Sequence, residues 1–160
     1  HPLTRGRGRY RKVLRADAVL TYLRLDDGEV FVEQRFVEVD RATLSVDSLA
    51  AELASYARLF RASDDHGEPL WRATYPAFPP VVCVLDGAPR AALERRRNAT
   101  IALLASDPEL VRTPEVSIHT CLAGDLAEQG PFAPIFRDPT RPGESLNWLG
   151  TPADPEGRSA

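Results

Sequence analysis

The stretch AVLTYLRLDDGEVFVEQRFVEVD, residues 18–40, decides the fold. Residues 18–25 are apolar and β-prone, residues 26–29 (DDGE) are a turn signal, and residues 30–39 repeat the strand pattern. Two such runs around Asp-Gly predict a β-hairpin. With Asp27-Gly28 as the loop, Leu25 faces Val30, Leu23 faces Val32, Val19 faces Phe36 and Asp17 faces Glu38. The two-residue period then puts Asp40 on the same face as Glu38, about 6.6 Å further along. One face of the hairpin is thus mostly apolar and ends in three carboxylates. A four-residue loop preserves this register, whereas a three-residue loop or a bulge breaks it.

Outward from the hairpin, Thr43 and Ser45 offer caps for a helix over 47–60, whose Leu49, Leu53, Tyr56 and Phe60 form one apolar stripe. Residues 61–80 contain four Pro and predict a loop. The continuous apolar run at 81–85 predicts a strand covered on both faces. A turn, DGAP, leads into a second helix over 90–106 with Leu93, Ile101 and Leu104 inward, and residues 116–122 predict a last strand. The order strand–strand–helix–strand–helix–strand implies an α/β domain, a mixed sheet with parallel pairs and helices on its faces. It occupies residues 13–136, after a basic arm at 1–12. Six Pro from Pro131 onward predict a disordered tail over 137–160.

Composition narrows the function classes. No apolar run approaches the roughly 18 residues of a membrane span, and no signal-peptide pattern opens the chain. Cys83 and Cys121 lie in strand-like apolar runs and read as small buried hydrophobes, which makes a reducing cytoplasm the expected setting. The absence of Met predicts a piece of a longer protein. The net charge of −3 is uneven: residues 1–15 hold Arg5, Arg7, Arg9, Arg11, Lys12 and Arg15 with no acid. A basic arm on an acidic body points to local nucleic-acid contact through Arg5, Arg7, Arg9, Arg11 and Lys12, or to a basic interdomain linker. No phosphate-binding Gly loop, Ser nucleophile elbow or dinucleotide fingerprint occurs.

The carboxylates Asp17, Glu38 and Asp40 are the candidate catalytic and metal-binding residues. Like charges opposite one another on a sheet are destabilising, so something must offset them. Mg²⁺ or Mn²⁺ would do so through hard oxygen ligands, and could activate water against a phosphodiester. Neutralisation of an ordinary acidic strand end by Arg15, Arg35 or Arg41 would do so equally.

EVDRAT at 38–43 and the helix ending SYARL resemble the replication-relaxation family of actinobacterial plasmids and integrative elements. RADAVL at 15–20, PVVCVL at 80–85 and GPFAPIF at 130–136 extend the resemblance over roughly residues 13–137. It implies a winged-helix DNA-binding region upstream and, here, a domain resembling the PD-(D/E)xK, restriction-endonuclease-like fold. Asp17 then matches the first acid of that pattern and Glu38 the second, while the catalytic Lys position is Asp40. The following helix, where such folds can carry a displaced Lys, offers Glu52. Arg41 and Arg58 are the nearby cations, and Arg does not replace Lys freely. The resemblance implies a DNA-transaction protein of a mobile element, either a metal-dependent endonuclease or a non-enzymatic DNA- or protein-binding module on a degenerate nuclease fold.

Weaker signals are His66 with Asp64 and Asp65 as metal ligands, against a solvated loop, and His119 with Cys121 as two of the three or more ligands zinc needs. Arg95, Arg96 and Arg97 point in three directions around a helix, and Tyr56 and Trp71 read as packing residues rather than base-stacking platforms.

Overall fold

Asp27 and Gly28 turn the chain with φ of 47° and 82°, the pair of positive angles that matches a two-residue loop to the twist of its strands. The strands it joins are β1 (Ala18–Asp26) and β2 (Glu29–Asp40), antiparallel, with Leu25 opposite Val30, Leu23 opposite Val32 and Val19 opposite Phe36. The computed structural model describes residues 14–152. The basic residues Arg5, Arg7, Arg9, Arg11 and Lys12 lie outside the described residues.

Helix α1 (Val46–Arg61) begins where Ser45 Oγ accepts the Ser48 N–H at 3.1 Å, and Asp47 in its first turn suits the positive helix start. The run VVCVL forms β3 (Val81–Leu85), parallel to β2, and helix α2 (Arg90–Ala105) crosses over to β4 (Ile118–Leu122), parallel to β3. Short helices α3 (Pro108–Val111) and α4 (Ala123–Gln129) flank β4. The result is a four-stranded mixed sheet in the order β1-β2-β3-β4.

That order decides where the helices lie. Both crossovers step in the same direction across the sheet, so crossovers of one hand put both helices on one face. Leu49, Leu53 and Tyr56 of α1 and Leu93 and Leu104 of α2 accordingly share one core with Phe36, Val81, Cys83, Leu85, Ile118 and Leu122. The loop over 61–80 contributes to this core: Trp71 stacks on Phe60 with ring centres 5.8 Å apart, and Phe78 lies 5.7 Å from Phe36.

The other face corrects the expected disordered tail over residues 137–152; residues 153–160 lie outside the described residues. Leu146 and Trp148 are buried there against Val82, Cys121, Ile135 and Phe136, with Leu126 of α4 at the margin. Thr120 of β4 bridges to Arg137 and Phe136 to Leu146, so the chain after Phe136 extends the sheet. Its Pro and Gly residues forbid regular structure, but an extended path needs only a few apolar anchors to be held. The long helices thus share one face, and a coil-like segment covers most of the other.

Only residues Phe36 to Asp40 of β2 pair with β3. The outer hairpin projects beyond the body, leaving Leu23, Leu25, Val30 and Val32 exposed on the apolar face read from the sequence.

Candidate functional site

The inner end of the hairpin carries the acidic residues. Alternation along β2 directs Phe36, Glu38 and Asp40 toward the helices, and each is buried. Asp17 lies one step beyond the last laddered pair, Ala18 with Val37. Its Oδ2 accepts the Val39 N–H at 2.9 Å, which ties the start of β1 to the end of β2.

Glu38 is 7% exposed, and its Oε1 accepts a hydrogen bond from the Tyr56 hydroxyl at 2.5 Å. Burial pushes the Glu38 carboxyl above its usual range; the Tyr56 hydrogen bond opposes this, and the negative charges of Asp17 and Glu52 add to it. The Tyr56 phenol is raised in turn by burial and by its bond to Glu38, so it stays a donor at any physiological pH. Asp17 and Glu38 therefore come together as expected, and Tyr56 is a partner assigned to packing from its place on the helical stripe.

Asp40 has a different partner. Arg96 of α2 donates from Nε to Oδ2 at 2.5 Å and from Nη2 to Oδ1 at 3.0 Å, a two-pronged ion pair with side chains 2% and 12% exposed for Asp40 and Arg96. The Ala42 N–H adds a bond to Asp40 Oδ1 at 3.2 Å and steadies Ala42 at a φ of 57°. Gly87 closes the arrangement: a Cβ there would lie 2.5 Å from the Arg41 carbonyl oxygen. Neutralisation by Arg15, Arg35 or Arg41 is thus corrected for Asp40. Arg35 points to the opposite face, its guanidinium 5.0 Å over the Trp148 ring, and Arg15 and Arg41 line the cleft mouth.

A cleft of about 270 Å³ opens over these groups, with Arg15, Asp17, Glu38, Asp40, Arg41 and Glu52 in its wall. Glu52 stands one turn before Tyr56 on α1, so Asp17, Glu38 and Glu52 line the cleft beside Asp40, which is held by Arg96. Among the described residues no three His, Cys, Asp or Glu side chains converge on one point as metal ligands. Carboxylates at this cleft can take a proton, accept hydrogen bonds or share a weakly held cation. No family model, curated protein or solved structure matches the chain.

Asp64 Oδ1 accepts the N–H groups of His66 and Glu68 at 2.8 and 3.0 Å, the geometry of an exposed turn. His119 Nε2 lies 3.0 Å from Ser117 Oγ and 3.6 Å from Asp138 Oδ2, while Cys121 sits in the apolar cluster. Cys83 and Cys121 are free and buried. Trp71 donates its Nε1–H to the Phe60 carbonyl at 3.1 Å. Arg95 faces outward, Arg96 meets Asp40, and Arg97 is part-buried. Sequence reasoning missed Arg96, and the one signal for it was the divergence of those three arginines. No helix is long and apolar enough to cross a membrane among the described residues.

The raised Glu38 carboxyl makes a pH prediction. A carboxyl lifted above its unfolded value is favoured in the protonated form by folding, so stability falls as pH rises through the folded pKa. Glu38→Gln keeps an oxygen to accept from Tyr56 and removes the buried charge. It should stabilise the domain by about 1 kcal/mol near neutral pH, and the gain should vanish below the ordinary glutamate range. Urea midpoints of both forms across acidic and neutral pH check this; a gain independent of pH would reject it.

Proposed function

We propose that this chain is a DNA-transaction domain of a mobile element, akin to the replication-relaxation proteins and built on a restriction-endonuclease-like core, that engages DNA without cutting it efficiently. The observation that carries the non-cleaving half is the Arg96–Asp40 pair. Metal-dependent phosphodiester cleavage needs carboxylates to hold the ion and a cation to orient hydroxide and stabilise the charge that develops on phosphorus. Asp40 stands where the nuclease pattern carries Lys, and Arg96, the cation nearest to it, has two of its nitrogens committed to that carboxylate.

The metal-binding half is weak on the same grounds. Mg²⁺ or Mn²⁺ held by Asp17 and Glu38 would have to keep Glu38 ionised against its burial and bind it through Oε2, since Tyr56 donates to Oε1. One observation favours the rival, a working endonuclease: Arg15 and Arg41 line the same cleft. In either case the basic segment holding Arg5, Arg7, Arg9, Arg11 and Lys12 supplies sequence-independent phosphate contacts, an upstream DNA-binding region supplies specificity, and the setting is cytoplasmic.

The test combines fluorescence anisotropy on duplex DNA over a salt series with incubation of supercoiled plasmid in Mg²⁺ or Mn²⁺. Binding should weaken steeply with salt, by roughly 0.9 in log–log slope per phosphate contact, and the plasmid should stay supercoiled. Robust nicking abolished by Glu38→Ala would make the protein a nuclease. Failure to bind duplex at low salt would remove the DNA assignment.

A further inference from the structure

The outer hairpin has two unlike faces. On one, Val19, Leu23, Leu25, Val30 and Val32 are between 42% and 76% exposed. Thr21 and Gln34 share that face, joined by a hydrogen bond from Gln34 Nε2 to Thr21 Oγ1 at 3.2 Å. No charged side chain interrupts it from Val19 to Leu25 or from Val30 to Phe36. The charges stand on the reverse, where Glu33 accepts from Arg24 at 2.6 Å and from Tyr22 at 2.7 Å, and Asp26 accepts from Arg24. Strand β1 is also the open edge of the sheet. An edge strand with its charges all on one side is unprotected on the other.

A sheet face this apolar needs a second layer. Over Phe36 that layer consists of α1 with Tyr75 and Phe78. Among the described residues nothing continues it over the outer hairpin. By the area that Val and Leu side chains ordinarily carry, the five leave on the order of 300 Å² of apolar surface, the size of a contact patch. The remaining segments of this chain do not suit it. Residues 1–13 hold five cations, to which a charge-free face offers no partner, and residues 153–160 contain no large apolar side chain.

A second copy does suit it. A two-fold contact brings the same patch from both subunits together, so a face without charges sets no like charges against each other. A stable interface buries about 800 Å² per partner, around a core more apolar than its rim. The five side chains supply that core, and Thr21, Gln34, the turn and the open β1 edge make up the polar remainder. We propose that this chain forms a two-fold dimer in which the apolar faces of two outer hairpins pack together. Stacked sheets lie about 10 Å apart, so the second hairpin fills the layer that α1 fills over Phe36. The contact is independent of the acidic cleft and of the DNA reading.

Sedimentation equilibrium of the 160-residue chain over a range of micromolar concentrations tests this. The expected result is a monomer–dimer equilibrium. Leu23→Glu and Val32→Glu each put a charge into the contact, twice over by symmetry, and each should weaken association by roughly 30-fold or more. Both positions are mostly exposed, so far-UV circular dichroism and thermal melts of the dilute monomers should match wild type. Leu20→Glu, on the reverse face opposite Arg35, should leave association unchanged. A wild-type chain that stays monomeric overturns the proposal; a dimer that then appears on removal of residues 1–13 would assign the face to that basic segment. Dimers that survive Leu23→Glu and Val32→Glu, or that Leu20→Glu disrupts equally, overturn it as well.

Discussion

Arg96→Met will destabilise the domain by about 3–5 kcal/mol, the cost of leaving a buried charge without its partner. Asp40 is 2% exposed at its side chain and its acceptors face Arg96 and the Ala42 N–H. Removing the guanidinium therefore strands a carboxylate that is almost wholly buried. The loss should extend beyond the pair, since Asp40 also holds Ala42 at its left-handed φ and its carbonyl accepts the Asp86 N–H at 2.8 Å. Equilibrium urea denaturation of Arg96→Met, Asp40→Leu and the double variant forms the cycle that isolates the pair. The double variant should recover most of the loss, because a buried ion pair replaced by apolar groups of similar size is close to neutral. Asp40→Lys, which places a lysine where the proposed nuclease-like reading would have one, should instead set two cations against each other and fail to activate cleavage. Arg96→Met with wild-type stability would show the pair to be open to solvent.

Trp148→Ala is the second large effect, expected to cost about 3–5 kcal/mol. Trp148 closes the face of the sheet opposite the long helices, with its ring centre 5.8 Å from Phe136 and 6.0 Å from Tyr22 and the Arg35 guanidinium above it. Its removal opens a cavity over Val82 and Cys121 and uncovers Arg35, which is 4% exposed and hydrogen-bonded from Nε to the Tyr22 hydroxyl at 3.1 Å. Ending the chain at Phe136 should go further and abolish cooperative unfolding, since Leu146 and the bridge to Phe136 go with it. Near-UV circular dichroism and thermal melts of both variants check this. A chain ended at Phe136 that melts like the parent would return residues 137–152 to the status of a tail.

The hairpin was legible in residues 18–40 because everything that sets it is local. Asp27-Gly28 accepts positive φ at both positions, and a two-residue period then fixes every cross-strand partner from Val19–Phe36 to Leu25–Val30. The same holds for α1, whose cap Ser45 and stripe Leu49, Leu53, Tyr56 lie within one short window, and for β3, where five apolar residues in succession leave no exposed face. The meeting of Asp17 with Glu38 followed from that register alone. Tertiary structure decided what the register could not reach. Arg96 lies 56 positions from Asp40, and which of three consecutive arginines turns toward the sheet depends on how α2 is rotated over β3 and β4. The covering of the second face by Leu146 and Trp148 was hidden for a related reason. Two apolar anchors among Pro and Gly carry no period, and only the bare face of a sheet whose long helices share its other side gives them a place to bind.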